Sequence, residues 1–119
     1  MVRCLRDAPY YYNQGVGLHK QRQFEPAVAA YDRAVALDPS YVDAWSNRGA
    51  ALRALGRFES AFASYDKALA LDPSSIEAWY NRGNVLRDLR QPEAALESYG
   101  RVIDLDPSYL NAHSNRGMF

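Results

Sequence analysis

The sequence predicts an all-α solenoid of stacked helix–turn–helix hairpins, with no strand. Three observations carry this: a 34-residue internal repeat, apolar residues spaced three and four apart, and glycine or proline where each helical stretch must stop. Asp38-Pro39-Ser40 recurs as Asp72-Pro73-Ser74 and as Asp106-Pro107-Ser108. The same 34-residue step carries Asn47-Arg48-Gly49 onto Asn81-Arg82-Gly83 and Asn115-Arg116-Gly117, and backwards onto Asn13-Gln14-Gly15. Aligning 42–75 with 76–109 gives 16 identities in 34 positions.

Each unit divides into two helices. In the second unit, Trp45, Arg48, Gly49 and Leu52 lie on one helical face; Gly56 interrupts it, and Phe58, Ala61, Tyr65 and Ala68 form a second stripe. The Asp72-Pro73 step ends that helix, because a residue before proline is pushed out of the α region. Ser74 with Glu77 reads as a capping box for the next helix, and Ser40 with Asp43 as a weaker version. Pro26 and Pro92 fall in first turns, where a missing N–H costs nothing. First helices are expected over 9–22, 42–55, 76–89 and 110–118, second helices over 25–37, 59–71 and 93–105. The units are then 8–41, 42–75 and 76–109, after an N-terminal extension at 1–7. Residues 110–119 are expected to form the first helix of an incomplete fourth unit, capping the face of Leu96, Tyr99 and Ile103.

The small residues have a packing role. Gly15, Gly49 and Gly83 each precede an alanine (Ala27, Ala61, Ala95) by 12 residues, so the two helices of a hairpin can approach closely. Tyr31, Tyr65 and Tyr99 are expected to fill the space toward the next unit. Arg48, Arg82 and Arg116 recur on the apolar face, with Asp38, Asp72 and Asp106 as candidate partners in a structural ladder.

Composition narrows the function. The chain has 119 residues, 48% hydrophobic and 24% charged, which suits a folded domain rather than a disordered one. Fourteen basic residues balance fourteen acidic ones, so the basic excess of a nucleic-acid binder and the polybasic run of a membrane-surface binder are both missing. Cys4 is the sole cysteine, which excludes an intrachain disulfide. No apolar run approaches a membrane span, and the start lacks the apolar core of a signal peptide. A cytoplasmic location is the expectation.

No catalytic constellation emerges. His19 and His113 are the two histidines, far apart in the array, and neither has a nucleophile at a diagnostic spacing. No metal site, P-loop or cofactor motif is present, so no catalysis and no cofactor is expected.

The period, together with Trp45, Gly49, Leu52, Ala61, Tyr65, Ala68 and Pro73, resembles the tetratricopeptide repeat (TPR). Trp79, Gly83, Leu86, Ala95, Tyr99 and Pro107 repeat the set; Tyr11, Gly15, Leu18, Ala27, Tyr31, Ala34 and Pro39 give a first copy with tyrosine in the tryptophan place. The resemblance covers about 8–119. It implies a right-handed α-solenoid whose first helices line a concave groove, and a non-catalytic scaffold that binds protein or peptide there.

The groove positions implied by the resemblance are Tyr12, Val16, His19 and Lys20, then Asp43, Ser46, Ala50, Arg53 and Ala54, then Glu77, Tyr80, Asn84, Arg87 and Asp88. Beside them Asn13, Asn47, Asn81 and Asn115 recur at the repeat period, and a side-chain amide offers both donor and acceptor to a peptide backbone. This resembles the asparagine ladder in the TPR region of O-linked N-acetylglucosamine transferases; bonding within the array is the competing role. Arg53 is expected to favour acidic peptides. Family members that clamp acidic chaperone tails use lysine, asparagine and arginine where this chain has Tyr12, Val16, Asn47, Glu77 and Asn81. Only Asn47 fits, which argues against that ligand. Two other functions stay open: a self-assembling unit that associates through its C-terminal end, and the substrate-recruiting part of a larger enzyme such as a glycosyltransferase.

Overall fold

A computed structural model describes residues 7–108. Six helices follow one another: α1 (Ala8–Lys20), α2 (Phe24–Leu37), α3 (Val42–Ala54), α4 (Phe58–Leu71), α5 (Ile76–Asp88) and α6 (Pro92–Leu105). No strand occurs among the described residues. Short turns fold them into three hairpins, and α2 and α4 each pack on the first helix of the next hairpin. The array is elongated, 54 × 25 × 22 Å. First helices meet each other, α1 with α3 and α3 with α5, whereas no two second helices meet. The first helices therefore follow the shorter, inner arc and form the concave side. The expected helix over 110–118, with His113, Asn115 and Arg116, lies outside the described residues.

The first helices end one or two residues before the expected 22, 55 and 89, because a backbone motif closes them. The amide N–H of Arg57 donates to the carbonyl of Leu52 and that of Gly56 to Arg53, both at 2.9 Å. Gln23 to Leu18 with Arg22 to His19, and Gln91 to Leu86 with Arg90 to Arg87, repeat the pattern. This arrangement needs a left-handed residue at its turn. Gly56 supplies it at φ 79°, but Arg22 and Arg90 adopt φ 61° and 63° at the equivalent places.

Two expectations about caps are corrected. Ser75, not Ser74, caps α5, its hydroxyl accepting from the Ala78 N–H at 3.3 Å. Ser74 instead donates its N–H and hydroxyl to the Asp72 carboxylate at 3.2 and 2.9 Å. Ser40 and Ser108 do the same to Asp38 and Asp106. These aspartates are occupied in the turns, where a carboxylate can bond the backbone two residues on. α3 has no side-chain cap.

The aspartates are consequently not the arginine partners. Arg48 Nε donates to Asp32 at 2.5 Å and its terminal nitrogen to the Ser64 hydroxyl at 2.5 Å. Arg82 repeats this with Asp66 at 2.7 Å and Ser98 at 2.6 Å. Each ladder rung thus joins an arginine to residues 16 before and 16 after it. Ser64 and Ser98 are fully buried, while Asp32 and Asp66 sit at the solvent edge. The unit without the arginine also lacks the serine: Gln14 and Ala30 occupy the corresponding positions. An unpaired buried hydroxyl is costly, so arginine and serine occur together. The Arg82 guanidinium also lies 4.9 Å from the Phe62 ring centroid and 5.5 Å from that of Trp79.

Alanines Ala27, Ala61 and Ala95 are buried at the hairpin contacts, as the spacing predicts. The glycines serve a different neighbour. A Cβ at Gly15, Gly49 or Gly83 would lie 2.5, 2.8 or 2.6 Å from Tyr31, Tyr65 or Tyr99. Each tyrosine ring therefore lies across the glycine of its own hairpin. Tyr99 accordingly is buried within α5–α6, whereas Leu96 and Ile103 are exposed among the described residues. Trp45 Nε1 donates to the Pro39 carbonyl at 2.8 Å and Trp79 Nε1 to Pro73 at 2.7 Å, tying each first helix to the preceding turn.

Candidate functional site

The concave side gathers the candidate groove residues of α1, α3 and α5, and its three segments differ. At the N-terminal end Tyr12 stacks at 5.0 Å from the Tyr41 ring and 6.1 Å from the Tyr31 ring. Asn47 Nδ2 donates to the Tyr12 hydroxyl at 3.1 Å, so part of this amide is committed within the array. Burial and the nearby Asp43 carboxylate raise the Tyr12 pKa above its ordinary value, and burial pushes Tyr31 up to about 12. Both hydroxyls stay protonated donors at neutral pH. His19 turns into the hairpin, its Nδ1 3.4 Å from the Tyr31 hydroxyl and its ring edge-on to Phe24 at 5.3 Å. Burial lowers its pKa. Asn13 and Lys20 are exposed, and Val16 and Ser46 are half-buried.

At the C-terminal end, the Tyr99 hydroxyl donates to Asn84 Oδ1 at 2.5 Å, and Tyr80 lies 5.9 Å from the Tyr99 ring. Arg87 is exposed beside that tyrosine.

Between these ends lies a solvent-open hollow of about 350 Å³. Ala50 and Ala54 of α3 border it, with Phe58 and Tyr65 of α4. Asn81 and Asp88 of α5 form the far side, and Arg53 reaches across. Arg53 Nε donates to Asp88 at 2.5 Å, and a second nitrogen lies 3.5 Å from the other carboxylate oxygen. That hydrogen bond raises the Arg53 pKa. Arg53, expected to favour acidic peptides, is thus ion-paired with Asp88 in this structure.

Phe58, and the role of Ala50 and Ala54, escaped the sequence reading. The signal was a break in the repeat. Position 50 corresponds to Val16 and Asn84, and position 54 to Lys20 and Asp88. In the first hairpin Val16 and His19 stand at the places of Ala50 and Arg53; in the third, Asn84 bonds the tyrosine. Among the described residues only the second hairpin has alanine at both places.

Among the described residues no group of three or more His, Cys, Asp or Glu side chains is placed to hold a metal ion, and no helix is long and apolar enough to cross a membrane.

The chain is similar to an uncharacterized protein of Methanocaldococcus jannaschii, at 36% identity across 47 residues, which are 40% of this chain and 55% of that protein. Among solved structures it is similar to the first TPR of Spaghetti (RPAP3) bound to HSP90 peptide SRMEEVD, with TM-score 0.87 and 27% identity, covering 92% of this chain and 87% of that one. It is also similar to YrrB, a TPR protein with an unusual peptide-binding site, with TM-score 0.85 and 27% identity, covering 92% of this chain and 57% of YrrB. The chain thus spans about half the length of the archaeal protein and of YrrB. Tetratricopeptide-repeat family profiles match residues 12–76 and 76–109. The chain belongs to the tetratricopeptide-repeat family.

Proposed function

We propose that this chain is a non-catalytic scaffold that binds an extended peptide or partner protein along the concave face of α1, α3 and α5. The observation that carries this reading is the contrast between the two kinds of surface. The inter-helix contacts repeat from hairpin to hairpin, while the concave residues vary and leave a hollow of about 350 Å³, within the usual range of ligand sites. The peptide complex of Spaghetti and the peptide-binding site of YrrB support the same mode on similar folds. The acidic-tail clamp is not supported here, because the one matching residue, Asn47, bonds Tyr12.

In this reading the amides of Asn13 and Asn81 hold peptide backbone, with Asn47 contributing its remaining capacity. Peptides selected from a random display library against the full chain test it. Their footprint by NMR should fall on α1, α3 and α5. Asn81→Ala should weaken every selected peptide by a similar factor of roughly two to ten, the loss of one hydrogen bond. A footprint on α2, α4 and α6 would refute the groove.

A further inference from the structure

The hollow at the second hairpin is built differently from its neighbours, and its chemistry points to one kind of occupant. The Tyr65 ring is almost fully buried beneath it, Phe58 forms a wall, and two alanine methyls take the place of larger side chains. Its charged groups already satisfy each other, Arg53 against Asp88 at 2.5 Å. We propose that this hollow is a subsite for one bulky uncharged side chain, leucine, methionine or phenylalanine, of a peptide lying along the α1–α3–α5 face. The subsite rests on the groove reading above.

Charge decides the class of side chain. A carboxylate entering the hollow would compete with Asp88 for its cation, Arg53, and set two negative charges side by side against an apolar wall. A lysine or arginine would do the converse. Separating one partner from a partly buried ion pair is costly. An uncharged side chain leaves the pair intact and displaces the equivalent of roughly ten waters from aromatic and methyl surface. Asn81 stands on the same wall, where its amide can hold the peptide unit that carries the side chain. The neighbouring hairpins offer no equivalent: Val16 and His19 stand in the first, and Asn84 takes the tyrosine hydroxyl in the third.

The array itself supplies the variant that tests this. Ala50→Asn imports the third hairpin's residue, whose counterpart accepts from tyrosine at 2.5 Å, so it should fill the hollow and keep the fold. Full-length protein carrying 13C-methyl alanine is titrated with N-acetyl amides of leucine, methionine, phenylalanine, aspartate and lysine. The three uncharged bulky amides should shift the Ala50 and Ala54 methyls saturably, and the aspartate and lysine amides should not. Ala50→Asn should abolish the Ala54 shift, while Ala63→Asn, at an exposed position of α4 outside the hollow, should leave it unchanged. If Ala50→Asn loses helicity, Ala54→Leu, at an exposed position, fills the same space and carries the comparison. No saturable shift, an equal shift with the aspartate amide, or undiminished binding by the filled variant overturns the proposal. Selected peptides that bind α1, α3 and α5 but leave both alanine methyls unmoved would overturn the subsite and leave the groove standing. Peptides that bind elsewhere would overturn the groove itself.

Discussion

Replacing Gly49 by alanine separates two opposed effects of one methyl group. In an unobstructed helix interior, glycine to alanine stabilises by about 1 kcal/mol through backbone entropy. At Gly49, however, the new Cβ would lie 2.8 Å from Cζ and 2.9 Å from Cε2 of Tyr65. That ring is 1% exposed, held in the core, and cannot swing into solvent. Overpacking of this kind costs about 1–3 kcal/mol. The net expectation is a loss of about 0–2 kcal/mol, against a gain of about 1 kcal/mol at Gly100, where the same Cβ meets nothing within 4 Å. The two single variants should therefore differ by roughly 1–3 kcal/mol in urea denaturation at unchanged m-value. Gly49→Leu should cost more than Gly49→Ala. A double-mutant cycle isolates the cause. Tyr65→Leu removes the clashing ring atoms and should cancel the penalty of Gly49→Ala, whereas Tyr65→Phe keeps them and should not. If Gly49→Ala stabilised the protein as much as Gly100→Ala, the close contact would have no energetic consequence and the argument would fail.

Arg90 adopts φ 63° where the second hairpin has Gly56, so Arg90→Gly should relieve left-handed strain and raise stability by about 0.5–1 kcal/mol; a lower denaturation midpoint would contradict this. Arg82→Met leaves the Ser98 hydroxyl buried without its donor and should cost about 1–3 kcal/mol. Adding Ser98→Ala should restore much of it, as the Gln14–Ala30 pair suggests, and strictly additive losses would refute the rung. Burial lowers the His19 pKa below its ordinary 6.5. The unfolded chain then takes up the proton first as pH falls, so the stabilisation is complete above about 6.5 and is lost below it. The imidazole faces the Phe24 ring and the Tyr31 hydroxyl. His19→Gln should reduce the stability lost between about pH 7 and about pH 5, and equal losses in both proteins would refute the assignment.

The six helices were legible because each depends on short-range pattern: apolar spacing, a proline after an aspartate, and a 34-residue echo. The role of the tyrosines was only half legible. Spacing paired each glycine with an alanine of its hairpin and directed each tyrosine toward the next unit, and only the folded geometry puts Tyr65 across Gly49. The arginine partners were misread for a related reason. Asp38 and Asp32 are both repeat-spaced candidates, and the choice falls to Asp32 because Asp38 closes a local turn with Ser40 while the buried Ser64 directs the guanidinium inward.

Sequence alone determined the repeat, the helical class and the concave helices' candidate residues, since these follow from periodicity in one dimension. Tertiary structure decided which of those residues remain available. Asn47 and Arg53 look alike in sequence as groove donors, yet both reach across to a neighbouring hairpin 35 residues away, to Tyr12 and Asp88. The hollow beside them arises where two small side chains on one helix meet a ring from the next, and such a void is a property of three helices at once rather than of any single segment.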